Sequence, residues 1–141
     1  LMVMDNDRDT RILVWDGNTW IDKGEVATNA QSSTYMSVTG AYETNSDRAI
    51  LVYSDNSRIP RYRIWDGTLS PQQSAAIAQQ IPRWMSIASS PNSDELLLIY
   101  NTYNNSIDAQ QWDGSSWTRT ALSTSNTTST RKGIAVSYEN S

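Results

Sequence analysis

Cysteine, histidine and phenylalanine are absent from this chain of 141 residues. Without cysteine no disulfide can staple the fold and no thiolate can act as a nucleophile. Without cysteine and histidine together, the usual ligands of zinc, copper and haem are missing. The commonest general base of enzymes is missing with them. Charge is scarce as well, at 18% of residues, with a formal net charge of -4. An acidic chain with no basic run offers nucleic acid no electrostatic footprint. The longest apolar run, Leu96 to Tyr100, is far too short for membrane insertion by a helix. No cofactor motif is present and no cofactor is expected. Any site must be built from carboxylates, amides, hydroxyls, arginine and aromatic rings, an inventory that suits sugar or calcium binding better than hydrolytic triads.

The polar balance comes from Ser, Thr, Asn and Gln, a mix that fits β-rich extracellular proteins. A secreted or cell-surface location is therefore the expectation. The chain opens at Leu1 inside an apolar stretch, without a signal or transit peptide. It reads as a processed product or a piece of something longer.

A repeat dominates the sequence. Trp15-Asp16-Gly17, Trp65-Asp66-Gly67 and Trp112-Asp113-Gly114 stand 50 and 47 residues apart. Upstream of each lies a short apolar run: Leu1 to Asp5, Ile50 to Asp55, Leu96 to Asn101. Downstream come Trp20, Leu69 and Trp117, then Tyr35-Met36-Ser37-Val38, Trp84-Met85-Ser86-Ile87 and Gly133-Ile134-Ala135-Val136. The joints also match: Ala41 to Asp47, Pro91 to Asp94, Ser137 to Ser141. The chain is expected to be all-β, with three tandem four-stranded antiparallel units at 1–43, 44–91 and 92–141 forming one continuous repeat domain. Each unit has an apolar strand, a strand ending at Trp-Asp-Gly, a strand after the turn, and a strand before the next joint. Asp-Gly is a strong hairpin signal. Ser70 to Gln80 reads as a helix by propensity, with Ser70 as cap and Pro71 in the first turn; the repeat overrides this in favour of a strand.

Four strands in such a period match a propeller blade, whose repeats run roughly 40 to 50 residues. The pattern resembles the Trp-Asp-Gly-x-x-Trp repeats of large secreted and surface proteins of propeller-like β-structure. Trp15 to Trp20 and Trp112 to Trp117 fit fully, whereas Trp65-Asp66-Gly67-Thr68-Leu69 departs at the last position. A lesser resemblance is to the Asp-box turn of sialidase-like propellers, although Asp16-Gly17 lacks the residue between Asp and Gly. Three blades do not close a ring, since propellers have about four to eight. The resemblance implies partners of the same kind: copies of the chain, or adjoining repeats of a longer one.

Each candidate site has a plain structural counterpart. Asp16, Asp66 and Asp113, with Gly17, Gly67 and Gly114, read as hairpin turns whose carboxylates cap the backbone. Trp15, Trp65 and Trp112, joined by Trp20 and Trp117, read as packing between blades. Asp5, Asp7 and Asp9 alternate as calcium-loop carboxylates do, but Thr10, Asp16 and Arg8 break the pattern, so a polar hairpin loop is the better reading. Trp84 breaks the pattern of regularly placed tryptophans and Tyr103 lies in an unmatched loop, and both are candidates for ligand contact. Arg61 and Arg63, near Arg58, are candidates for a carboxylate partner, against the reading of an exposed strand whose charges discourage edge pairing. Asn104 and Asn126 head N-glycosylation sequons, and Ser123 to Thr130 suits O-glycosylation.

The leading expectation is a non-enzymatic structural or interaction module that self-assembles or forms part of a longer surface protein. A lectin-like, glycan-binding propeller is the alternative. A sialidase-like glycosidase fragment ranks third, because no distinctive pair of carboxylates is present.

Overall fold

A computed structural model describes residues 1–30, 34–123 and 133–139. Asn126 and most of the Ser123 to Thr130 stretch lie outside the described residues. Among the described residues every element is a strand: β1 (Met2–Met4), β2 (Thr10–Trp15), β3 (Trp20–Ala27), β4 (Val38–Tyr42), β5 (Ala49–Tyr53), β6 (Arg61–Trp65), β7 (Gln73–Ser74), β8 (Pro82–Ser89), β9 (Leu96–Thr102), β10 (Ile107–Trp112) and β11 (Trp117–Ser123). They form three antiparallel sheets, ordered β1-β2-β3, β4-β5-β6-β7 and β8-β9-β10-β11. The first sheet therefore has three strands among the described residues, where the repeat led us to expect four.

The grouping of strands is out of phase with the sequence units. β4 pairs with β5 and β8 with β9, so the strand at the end of one sequence unit opens the next sheet. The joint carrying Glu43 to Arg48 connects two strands of one sheet: the Glu43 N–H donates to the Arg48 carbonyl at 2.8 Å. The Ser90 N–H does the same to the Glu95 carbonyl at 2.9 Å. The cause is the hydrophobic run itself. Ile50 and Val52 face one way and Leu51 and Tyr53 the other, all buried or half-buried, so this strand needs a hydrogen-bonded neighbour on each edge and a sheet on each face.

Two apolar clusters join the sheets. Ile12 and Val26 of the first sheet meet Tyr53 of the second, with Met2, Val14, Val38, Leu51 and Leu69 around them. The larger cluster sets Ile50, Val52 and Tyr62 of the second sheet against Met85, Leu96, Leu98, Tyr100 and Trp112 of the third. β4 also lies against β8, and β1 against β4.

The segment with helical propensity is not a helix. Only Gln73–Ser74 forms a strand, pairing with Tyr62 and Arg61. Beyond it the Ala75 N–H donates to Pro60 O and the Ala78 N–H to Arg58 O. Gln110, fully buried, accepts from the Ala76 N–H at 3.0 Å and donates to the Ala76 carbonyl at 2.7 Å. The Gln79 N–H donates to Asp108 Oδ2 at 2.8 Å. Tertiary partners thus satisfy the backbone that a helix would otherwise have paired internally.

Candidate functional site

The three Trp-Asp-Gly turns share one construction. Each aspartate side chain folds over its own turn: Asp16 Oδ1 accepts the N–H groups of Asn18 and Thr19 at 2.8 and 2.7 Å. Asp113 Oδ1 accepts those of Ser115 and Ser116, both at 2.8 Å. Asp66 accepts the Thr68 N–H at 3.1 Å. Trp15 pairs with Trp20 and Trp112 with Trp117, so four residues span the loop; Trp65 bridges to Leu69 across three. Of each Asp-Gly pair the glycine alone takes a positive φ, at 98° for Gly17, 102° for Gly67 and 93° for Gly114. Bonds from the turn hold these carboxyls below their usual range: chiefly the Thr19 and then the Asn18 N–H for Asp16, the Thr68 N–H and hydroxyl for Asp66, and the Ser115 hydroxyl followed by the Ser116 N–H for Asp113.

The tryptophans that follow this shared turn end in different surroundings. Trp112 is 1% exposed, packed edge-on to Tyr62 of the second sheet at 5.5 Å. Its Nε1 donates to Glu43 Oε1 at 2.6 Å. Glu43 is itself buried and takes a second bond from Arg48 Nη2 at 2.8 Å. Trp117 is half-buried, its ring 5.3 Å from that of Trp112 at 47°. Trp65 is half-buried with the Lys23 ammonium 4.9 Å from its ring centre. Trp15 and Trp20 make the same pair, at 5.4 Å and 53°, yet stand 51% and 53% exposed. They do not pack between sheets, because among the described residues no sheet covers that face of the first sheet.

The alternation of β1 continues the exposed patch. Leu1 and Val3 point outward at 62% and 37% exposure, while Met2 and Met4 are half-buried toward the second sheet. A groove of about 520 Å³ runs beside this patch, lined among others by Leu1, Trp15, Trp20, Tyr42, Leu51 and Trp65. A second cleft of about 360 Å³ takes in all three β1 residues and Tyr35, Met36 and Trp84, with none from β2. It lies on the edge of β1 that carries no partner strand among the described residues.

Other candidates resolve into internal partners. Arg61 Nε donates to Asp55 Oδ2 at 2.8 Å, Arg63 Nη1 to Ser70 O at 2.9 Å, and Arg58 Nη2 to Ala78 O at 3.0 Å. The strand of Arg61 and Arg63, β6, sits between β5 and β7 rather than at an edge. Asp5 Oδ1 accepts the Asp7 and Asp9 N–H groups at 2.9 and 3.0 Å, which makes this loop an Asx turn. Asn104 is exposed in a turn, and its Oδ1 accepts the hydroxyls of Thr102 and Ser106 at 2.6 and 2.8 Å.

Tyr103 and Trp84 belong to a cluster that the sequence did not disclose. Arg83, 8% exposed, is held between the rings of Tyr35 and Tyr103, its Cζ 4.5 and 4.2 Å from their centres. Trp84 meets Tyr35 edge-on at 5.8 Å. Buried Nε of Arg83 has no hydrogen-bond partner. Glu43, Asp108 and Gln110, the buried polar residues that tie sheet to sheet, also escaped sequence reasoning. Only the Tyr-Glu of the joint gave a signal. Asp108, fully buried, is clasped by Arg119 through two bonds of 2.9 and 2.8 Å. No protein-family model, curated protein or solved structure matches the chain.

Proposed function

We propose that the chain is a non-enzymatic structural module, a run of propeller-like blades that continues by stacking against further sheets of its own kind in an extracellular or cell-surface assembly. The observation that carries this reading is the exposed Trp15–Trp20 pair, which repeats to within 0.1 Å and 6° the geometry of the pair made by buried Trp112 and half-buried Trp117. What buries Trp112 is a neighbouring sheet, so the same kind of neighbour is the fitting cover for Trp15. Covering the exposed half of each ring, ~100 Å² at ~25 cal/mol/Å², contributes about 2–3 kcal/mol per ring. Heterologous stacking of this kind gives rings when its rotation closes and filaments when it does not.

Light scattering and negative-stain electron microscopy across a concentration series test it. The wild type is expected to form rings or filaments. Trp15→Ser with Trp20→Ser is expected to keep its far-ultraviolet circular dichroism and remain monomeric. A wild type that stays monomeric at high concentration sinks the proposal.

A second reading, glycan binding, is favoured by the Arg83 cluster. A guanidinium between two tyrosines, beside an indole, suits a sugar that carries a carboxylate. Titration with uronic-acid or sialylated oligosaccharides, followed by tryptophan fluorescence, is expected to saturate in the wild type and fail in Arg83→Gln. A flat wild-type response across both sugar classes eliminates this reading.

A further inference from the structure

β4 and β8 each open a four-stranded sheet by pairing with the apolar strand that follows them. The corresponding place beside β1 is empty of any strand among the described residues. Residues 133–139 have the attributes of the missing strand. They form no named strand. Their exposure alternates strictly, with Ile134, Val136 and Tyr138 half-buried and Gly133, Ala135, Ser137 and Glu139 exposed. Their sequence ends Ser137-Tyr138-Glu139 where β4 and its joint read Ala41-Tyr42-Glu43.

The likeness goes further than sequence. Ile134, Val136 and Tyr138 share the half-buried face, and the Tyr138 hydroxyl's pKa is raised first by burial and then by the nearby Glu95 carboxylate. β4 sets its corresponding face against the sheet before it, with Val38 in the cluster of the first sheet. β8 repeats it, with Met85 and Ile87 in the cluster shared with the second. Residues 133–139 thus carry the pattern of the opening strand of a further sheet, and β1, β2 and β3 are a sheet short of such a strand among the described residues.

We propose that residues 133–139 of one copy of the chain add as the edge strand beside β1 of a second copy, completing its first sheet. This deepens the stacking reading and rests on it. The register follows from the two sheets that have the strand. Val38 lies opposite Tyr53 and Gly40 opposite Leu51; Met85 lies opposite Tyr100 and Ile87 opposite Leu98. Leu13 bonds Leu1 as Arg63 lies opposite Leu51, so Leu1 and Val3 hold the places of Leu51 and Tyr53. The joined strand therefore sets Ile134 opposite Val3, Ala135 opposite Met2 and Val136 opposite Leu1. It brings Glu139 to the place of Glu43, with its carboxylate directed at the indole of the partner's Trp65, as Glu43 meets Trp112. The cleft on the free edge of β1 and the groove holding Trp65 are the spaces that this strand and its glutamate would occupy.

The absence of cysteine makes the register directly readable. Residues directly opposite in an antiparallel pair have Cα atoms about 4.5 or 5.5 Å apart, within the range a disulfide spans. Single-cysteine variants Val3→Cys and Ile134→Cys are mixed and mildly oxidised, with light scattering on the same samples. The expected product is a mixed dimer on non-reducing gels, with none from Val3→Cys mixed with Ala135→Cys, whose side chain points to the other face. Assemblies that form without the Val3–Ile134 cross-link overturn strand addition and leave stacking standing. Absence of both cross-link and assembly overturns the two together. A Val3→Cys/Ile134→Cys double variant that oxidises within single chains assigns the strand to its own sheet and also overturns the proposal.

Discussion

Asp113 shows how much one side chain can settle at a turn. Its Oδ1 accepts two backbone N–H groups and its Oδ2 the Ser116 hydroxyl at 2.9 Å. These bonds need the carboxylate form, which is why its pKa falls. A carboxyl depressed in the folded state contributes stability that is complete above its unfolded pKa, near 3.9, and is lost as pH falls through the folded value. Asp16 and Asp66 share the direction. Thermal unfolding followed from pH 7 to pH 2 is expected to show a steep acid limb beginning below about pH 4, shallower in Asp113→Asn, whose amide oxygen still accepts but does not titrate. An identical limb in the variant would remove these turns from the account of acid stability. The turn was legible because Asp-Gly states its backbone requirement openly. Gln110 was not, because a glutamine in a strand reads as a solvent-facing residue until its neighbours are known.

At the scale of elements, β7 is the informative case. Its segment carries a helix cap, an N-terminal proline and an alanine-rich run, yet lies as an edge strand of two residues followed by irregular backbone. Gln110 imitates a strand neighbour by meeting both the N–H and the carbonyl of Ala76. Gln110→Leu keeps the side chain's approximate volume and strips both partners from Ala76. Each buried polar group left without a partner costs about 1–3 kcal/mol, so denaturant unfolding is expected to show a loss of that order. Unchanged stability would mean that β7 holds its place without Gln110. The strand pairings hid a subtler matter. Tyr35 to Val38 matches Trp84 to Ile87 by sequence, but in the ladders Val38 holds the place of Met85, two residues away. A shift of two leaves every side chain on the same face, so hydrophobic alternation carries no trace of it.

For the molecule as a whole, composition and repeat announced an all-β chain in three parts, and three antiparallel sheets are present. The phase of those parts was not announced. The same tripeptide precedes a buried tryptophan in the third sheet and an exposed one in the first, and nothing near Trp15 in sequence distinguishes it from Trp112. Burial at these positions is decided by what lies across the interface. That information belongs to the order of sheets along the chain and is invisible in any single repeat.

Because the last strand of the first period and that of the second each open the following sheet, such a period is self-compensating. A duplication of one period, wherever its ends fall, would bring at its tail the strand that its head lacks. Such an insertion would lengthen the series by a whole sheet, create no new kind of interface, and return both termini to the surroundings they had before. Growth and shrinkage by genetic duplication and loss are therefore structurally cheap for this architecture, and size can drift between related chains while the unit stays fixed.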